Sequence, residues 1–254
     1  MFRKVKDIGM KSKFKKIFGE IVPQWMPNSW VSGIMGLLSG VKTSKKQVEE
    51  TKAHNYELLV DKEYSKETRQ FFTSGDYIEN QAQWGKVRFG KKYTMAYGGC
   101  EVFAVYNALV AMEQEPNGMA LADLISRFER KGAVLGGYFG SAPMAAYHYF
   151  KELGCQVKVV NRRDEEAVNA LGEEYQTVIA TVYIDGHDVF RMIHTVNISK
   201  DAHGYYHGHN CYKRGKNAKG ETVYVSHGPH RTLWDDITAM SGGTAELLLV
   251  MGIR

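Results

Sequence analysis

A cysteine behind two glycines, a histidine on an apolar strand and an asparagine beyond the next turn are side chains whose chemistry fits together. Cys100 follows Gly98-Gly99 and opens a run with Val102, Val105, Leu109 and Met112 at helical spacing. A thiol at a helix N-terminus meets unpaired backbone N–H groups and the positive end of the helix dipole, which favour thiolate. His194 sits in Met192-Ile193-His194-Thr195-Val196 and shares a strand face with Phe190, Met192, Val196 and Ile198. Alone, such a histidine reads as a satisfied core residue. A hairpin symmetric about Ala202 sets it opposite Asn210, with Cβ atoms about 4.5–5.5 Å apart. The Asn210 side chain would then accept a hydrogen bond from one ring nitrogen and aim the other at a thiol. The chemistry is nucleophilic acyl transfer, with a Cys100 sulfur expected within about 4 Å of a His194 ring nitrogen.

Such residues need an ordered scaffold. The periodicity predicts a helix from Cys100, a second with Leu121, Leu124, Ile125 and Phe128 on one face, and a third, capped by Ser141 with Pro143 in its first turn, ending at Gly154. Lys45 to Phe72 reads as helix, or helix plus loop, and Asp164 to Leu171 as a short helix. Strands are expected at Gln156–Val160, Thr177–Ile184, Val189–Ile198, Tyr205–Asn210, Thr222–His227 and Ala245–Gly252. Helices first and an antiparallel sheet second is an α+β order. The glycine-rich stretches Gly132–Gly140 and Gly215–Gly220 are expected to border a cleft, with Gly98, Gly99 and Gly137 against the substrate.

The chain has 254 residues, 44% of them hydrophobic, and a net charge of +5. Residues 1–52 carry 11 Lys/Arg against 4 Asp/Glu, while the rest carries 22 against 24. The basic character is therefore local, and the body has no charge reason to bind nucleic acid. The sequence divides at 52/53, into a basic segment and a catalytic domain spanning 53–254. Phe14, Ile17, Phe18 and Ile21 share a helical face in residues 1–22. That segment reads as a helix docked on the body or a frayed tail, with peripheral membrane contact as the alternative. Residues 23–44 read as a linker with apolar anchors, or as a propeptide. No apolar run reaches the ~18 residues of a membrane span, and no signal peptide is recognised. Three widely spaced cysteines, Cys100, Cys155 and Cys211, argue against a disulfide framework and for a reducing, cytoplasmic setting.

The run Gln81-Ala82-Gln83-Trp84-Gly85-Lys86-Val87-Arg88-Phe89-Gly90, then Gly98-Gly99-Cys100 and a helix, resembles the C39-like, bacteriocin-processing branch of the papain-like cysteine peptidases. There a Gln, a Trp and a Tyr/Phe-Gly precede the nucleophile, and a His and an Asp or Asn follow on strands. The resemblance spans roughly residues 77–227. It implies a papain-like fold, with a helical half carrying the cysteine packed on an antiparallel sheet carrying His194 and Asn210. It implies a thiol peptidase acting on a peptide or protein substrate, without cofactor or metal. Gln81, or Gln83 as second choice, would serve the oxyanion hole with the Cys100 N–H. Two residues depart from the pattern: Glu101 replaces a small residue and would raise the thiol pKa, and Asn210-Cys211 replaces Asp-Pro.

Three rivals stand beside this reading. A papain-like site can perform transpeptidation, deamidation or acyl transfer instead of hydrolysis. The same fold can serve as a binding module with a decayed site. Finally, His203, His207, His209 and Cys211 crowd one hairpin, with His227 and His230 downstream, and suit zinc by residue type.

Overall fold

A computed structural model describes residues 43–60, 76–90, 92–114, 116–134, 136–137, 140–160, 164–183, 193–211, 213–240 and 247–254. The expectations for residues 1–42 and 61–75 lie outside the described residues. The chain is a mixture of helices and antiparallel sheet, an α+β arrangement.

The helical half comprises α1 (Lys45–Val60), a 3-10 turn at Gln81–Trp84, the short helix α2 (Met95–Gly98), α3 (Cys100–Ala111), α4 (Gly118–Lys131) and α5 (Met144–Glu152). A two-stranded ribbon, β1 (Arg88–Phe89) and β2 (Tyr93–Thr94), precedes α2. Then follow β3 (Val157–Val160), α6 (Glu165–Glu174), β4 (Thr177–Tyr183), β5 (Ile193–Lys200) and β6 (Tyr206–His209). The chain continues through β7 (Arg214–Lys216), β8 (Thr222–Tyr224), β9 (His227–His230), α7 (Leu233–Met240) and β10 (Leu247–Ile253). The main sheet has the order β3-β10-β4-β5-β6-β9, and β7 pairs with β8 in a separate ribbon.

Both faces of the main sheet are covered, which explains why β4 and β10 read as continuous apolar or β-branched runs. Ile179, Leu249, Met251 and Ile253 pack with α3, α4 and α5 in one cluster. Val178, Ala180, Val182, Val196, Ile198 and Val250 form a second cluster with Val168, Leu171, Leu233 and Ile237 of α6 and α7. The helix α3 lies in the middle of the first cluster, and every residue from Glu101 to Ala108 is buried. Truncating Phe103, fully buried there, would cost about 3–5 kcal/mol.

The expected boundary at 52/53 falls inside α1, whose buried residues Val48, Thr51, Asn55 and Leu59 lie on both sides of it. Ser141 is not the cap of α5. It bridges Ala133, its hydroxyl has no hydrogen-bond partner among the described residues, and Pro143 occupies the cap position. The strand expected over Thr222–His227 is two strands, β8 and β9. The helix at Leu233–Met240 was not legible as one. The strand expected from Val189 begins, among the described residues, at Ile193 and runs to Lys200.

Candidate active site

Cys100 is the first residue of α3, and Gly98-Gly99 bring α2 onto it. A Cβ at Gly99 would lie 2.6 Å from the Met95 carbonyl oxygen, so only glycine permits this approach. A Cβ at Gly98 would meet Gly140 Cα at 3.2 Å and Gly137 O at 3.3 Å. Gly137 and Gly140 have φ of +91° and +68°, conformations that glycine adopts without strain. The loop ending at Gly140 is thus seated directly beside the turn before Cys100. The three glycines expected near substrate come together here.

The Cys100 thiol faces β5 at Thr195, whose backbone and hydroxyl both hydrogen-bond to it. Its pKa is pushed up to about 11, first by burial and further by the neighbouring Glu101 carboxylate; the hydrogen bonds from Thr195 oppose the shift. The helix start therefore does not produce a resting thiolate, contrary to the sequence expectation. Desolvation outweighs the dipole. Glu101 is itself buried and its carboxyl pushed up to about 8, again by burial, against the Ala146 N–H and the Thr195 hydroxyl. Its Oε1 accepts from Ala146 N at 3.1 Å, tying α3 to α5. Glu101 thus has a structural task that a small residue could not perform.

The β5–β6 register corrects the hairpin expectation. Asn197 pairs with His209, Ile198 with Gly208, Ser199 with His207 and Lys200 with Tyr206. That is two residues away from symmetry about Ala202, because Asp201 closes the turn by accepting from the His203 and Tyr205 N–H groups. Asn210 therefore lies just past β6, at φ +60°, and does not face His194 as a cross-strand side chain. The two still meet. His194 Nε2 donates to the Asn210 carbonyl oxygen at 2.6 Å. A carbonyl only accepts, so Nε2 carries the proton and Nδ1 is the basic nitrogen of the neutral ring. Burial holds the His194 pKa below its ordinary value, and the Asn210 carbonyl opposes that shift.

The Asn210 side chain is engaged with Gln81 instead. Asn210 Oδ1 accepts from the Gln81 backbone N at 2.9 Å, and Asn210 Nδ2 donates to Gln81 Oε1 at 3.2 Å. Gln81 Nε2 donates to the Ala96 carbonyl of α2 at 3.2 Å. The order is His194, Asn210, Gln81, α2, which leads back to the Cys100 helix. Gln81 is buried and Gln83 exposed, which favours Gln81 as the site amide.

Sequence reasoning missed the residues that hold this arrangement. Asn107 on α3 is fully buried; it accepts from Ile78 N at 2.8 Å and donates to Ile78 O at 3.0 Å. That clamp fixes the segment carrying Glu79 and Gln81. Glu79 then accepts from the Asn210 N–H at 3.1 Å and from His209 Nδ1 at 2.6 Å. His209 Nε2 lies 2.7 Å from Ser199 Oγ, and Tyr77 stacks on its ring at 3.7 Å. The i, i+2 spacing of His207 and His209 is the available signal, and by residue type it also suits the rival zinc reading. His207 instead bonds Asp201 at 2.8 Å, so the hairpin histidines do not converge on one point.

Beside Glu79 lies a cavity of ≈480 Å³, lined by Tyr77, Asn80, Gln83, Thr222, Val223 and Tyr224 among others. Strand β8 of the β7–β8 ribbon forms one wall; Cys100, His194 and the glycines of 215–220 are not among its lining residues. No model of a known protein family matches the chain, and no curated protein matches it.

Proposed function

We propose that this protein is a papain-like thiol acyl-transfer enzyme, most simply a peptidase of peptide or isopeptide bonds, working through Cys100, His194, Asn210 and Gln81. The observation that carries the reading is the hydrogen-bond path from His194 through Asn210 and Gln81 to the turn before Cys100, which joins residues far apart in sequence. Cys100 lies against Thr195 on β5, while His194, the adjacent residue, belongs to the alternate face of the strand opposite Val182; the reading therefore requires the imidazole to turn toward the thiol before attack. The resting pair is neutral thiol and neutral imidazole. His194 Nδ1 removes the thiol proton as sulfur attacks the substrate carbonyl, and returns it to the leaving amine. Asn210 fixes the ring through its carbonyl. The Cys100 N–H faces the developing oxyanion, while Gln81 Oε1 and Nε2 are held by Asn210 and Ala96 in the described arrangement.

The test is acylation. A peptide thioester or activated ester should leave an acyl group on Cys100, located by peptide mapping. His194→Ala should slow adduct formation about 10²–10⁴-fold, and Cys100→Ala should abolish it. An adduct on another residue, or indifference to His194→Ala, would overturn the proposal.

One observation favours a second reading. Ser199 Oγ, His209 and Glu79 stand at 2.7 and 2.6 Å in the order of a serine-hydrolase triad. His209 is covered by Tyr77 and is only 4% exposed, so the relay serves to hold Asn210 rather than to reach a substrate. A fluorophosphonate probe separates the two readings: labelling of Ser199 would favour the second.

A further inference from the structure

Where β6 meets the edge strand β9, β9 and α7 bring together two histidines and a carboxylate. One ligand atom each of His227, His230 and Asp236 lies within 4.8 Å of the others. Asp236 has no solvent exposure. His230 Nδ1 is 2.6 Å from Asp236 Oδ1, and His227 Nδ1 is 3.7 Å from the same oxygen. The two imidazoles stack at 5.2 Å, nearly parallel at 18°.

The two remaining polar atoms are what make this a site rather than a satisfied cluster. Asp236 Oδ2 and His227 Nδ1 are both buried without a hydrogen-bond partner among the described residues. A buried polar atom left without a partner destabilises the fold, so each is a ligand atom that a cation can satisfy. A buried carboxylate supplies the charge a divalent cation needs. Two imidazole nitrogens and a carboxylate oxygen form a ligand set used by zinc, and three protein ligands leave a fourth position open. In a tetrahedral site, ligand atoms stand about 3.3–3.6 Å apart at ordinary Zn–N and Zn–O distances. The 3.7 Å separation of His227 Nδ1 from Asp236 Oδ1 lies just beyond that range, so a small rotation of the partly exposed imidazole brings it in. The closer His230 contact is a hydrogen bond whose proton leaves when metal takes its place.

The neighbourhood is also consistent with a soft metal. A Cβ at Gly208 would stand 2.9 Å from Asp236 Oδ2, 3.0 Å from Cys211 Sγ and 2.5 Å from Met240 Sδ. The absence of a side chain at Gly208 leaves these three groups their room. Lys213 Nζ donates to the Gly228 carbonyl at 3.1 Å, between the two histidines in sequence.

We infer that His227, His230 and Asp236 form a zinc-binding site that clamps α7 to the edge strand β9. The site is independent of Cys100 and stands whether or not the acyl-transfer reading does. Full-length protein without a histidine tag, stripped with chelator, is titrated with ZnCl₂ against a chromogenic chelator, in both wild type and Cys100→Ala. One equivalent should bind in each. His227→Ala and His230→Ala should weaken binding by more than about 100-fold, beyond the 10–100-fold of outer-shell losses. His207→Ala, which removes a histidine held by Asp201, should bind as wild type. Zinc at about 100 times its Kd should raise Tm by about 5–10 °C in wild type and leave His227→Ala unmoved. Both histidines are partly exposed, so their variants keep the test independent of whether Asp236→Asn folds. Absent or substoichiometric binding, or equal affinity in wild type and the His227→Ala/His230→Ala double variant, would overturn the inference.

Discussion

The Cys100 thiol is held neutral by burial at neutral pH. With its pKa near 11, the thiolate fraction grows with pH throughout the neutral and mildly alkaline range. Iodoacetamide alkylation of Cys100, followed by mass spectrometry, should therefore accelerate roughly tenfold per pH unit from 7 to 10 without a plateau. A plateau near neutrality would mean a preformed thiolate and a different electrostatic balance. His194→Ala should leave that alkylation profile at pH 10 unchanged while suppressing acylation at pH 7, because in the proposed mechanism the imidazole acts as base only during attack. Cys100, His194, Asn210 and Gln81 were legible in the sequence as candidates by type and order. Their partners were not. Glu79 as the holder of Asn210 depends on a hairpin register shifted by the Asp201 turn, and Thr195 as the thiol's neighbour on how α3 crosses β5, neither of which alternation of apolar residues reveals.

Between elements, buried asparagines take the part of missing strand partners. Asn107 satisfies both backbone groups of Ile78, and Asn55 of α1 does the same for Arg88, at 2.8 and 2.9 Å. Asn107→Ala removes two hydrogen bonds and strands a buried N–H and C=O. It should lower stability by about 2–4 kcal/mol in urea unfolding and slow Cys100 acylation, since Glu79 and Gln81 lose their anchor. An Asn107→Ala protein with wild-type stability would show that the clamp is dispensable. Gly99→Ala belongs to the same scale: its methyl group would meet the Met95 carbonyl at 2.6 Å. A sequence with polar residues on an apolar helix face signals such clamps only faintly, because the partner is a backbone segment with no composition of its own. The α7 helix was hidden for a related reason. It is short, and two of its first residues, Asp235 and Asp236, resemble a loop until the burial of Asp236 is known.

For the whole molecule, two buried acids set the pH response. Glu101 is held near 8 and Glu129 near 7 by burial, above an unfolded value near 4.5. Both bind protons more tightly when folded. Their contribution to stability is complete below pH 4.5, declines with a slope of about 1.4 kcal/mol per pH unit for each group, and is exhausted once pH passes about 7 for Glu129 and about 8 for Glu101. Glu101→Gln keeps the acceptor for Ala146 and removes one of the two titrations. Urea unfolding between pH 5 and 8 should therefore show a shallower decline and a more stable variant at pH 8; an unchanged slope would count against a buried neutral Glu101. The α+β class was legible because β4 and β10 carry the uninterrupted apolar pattern of strands covered on both faces. The sheet order was not, since pattern says what is buried but not beside which strand.

That order has a kinetic consequence. The strands β4, β5 and β6 are neighbours in both sequence and space, whereas β10 joins β4 from Val182–Leu247 to Thr177–Ile253 and separates it from β3. Closing so long a loop is entropically slow, and its contacts reward the chain only once it is closed. A three-stranded meander should form early and expose the flank of β4 until β10 arrives. Stopped-flow refolding of Val250→Ala should then show destabilisation expressed mainly as faster unfolding, while Val196→Ala, inside the meander, should slow folding itself. Until the last strand docks, the open edge of β4 is the surface on which two partly folded chains would find each other.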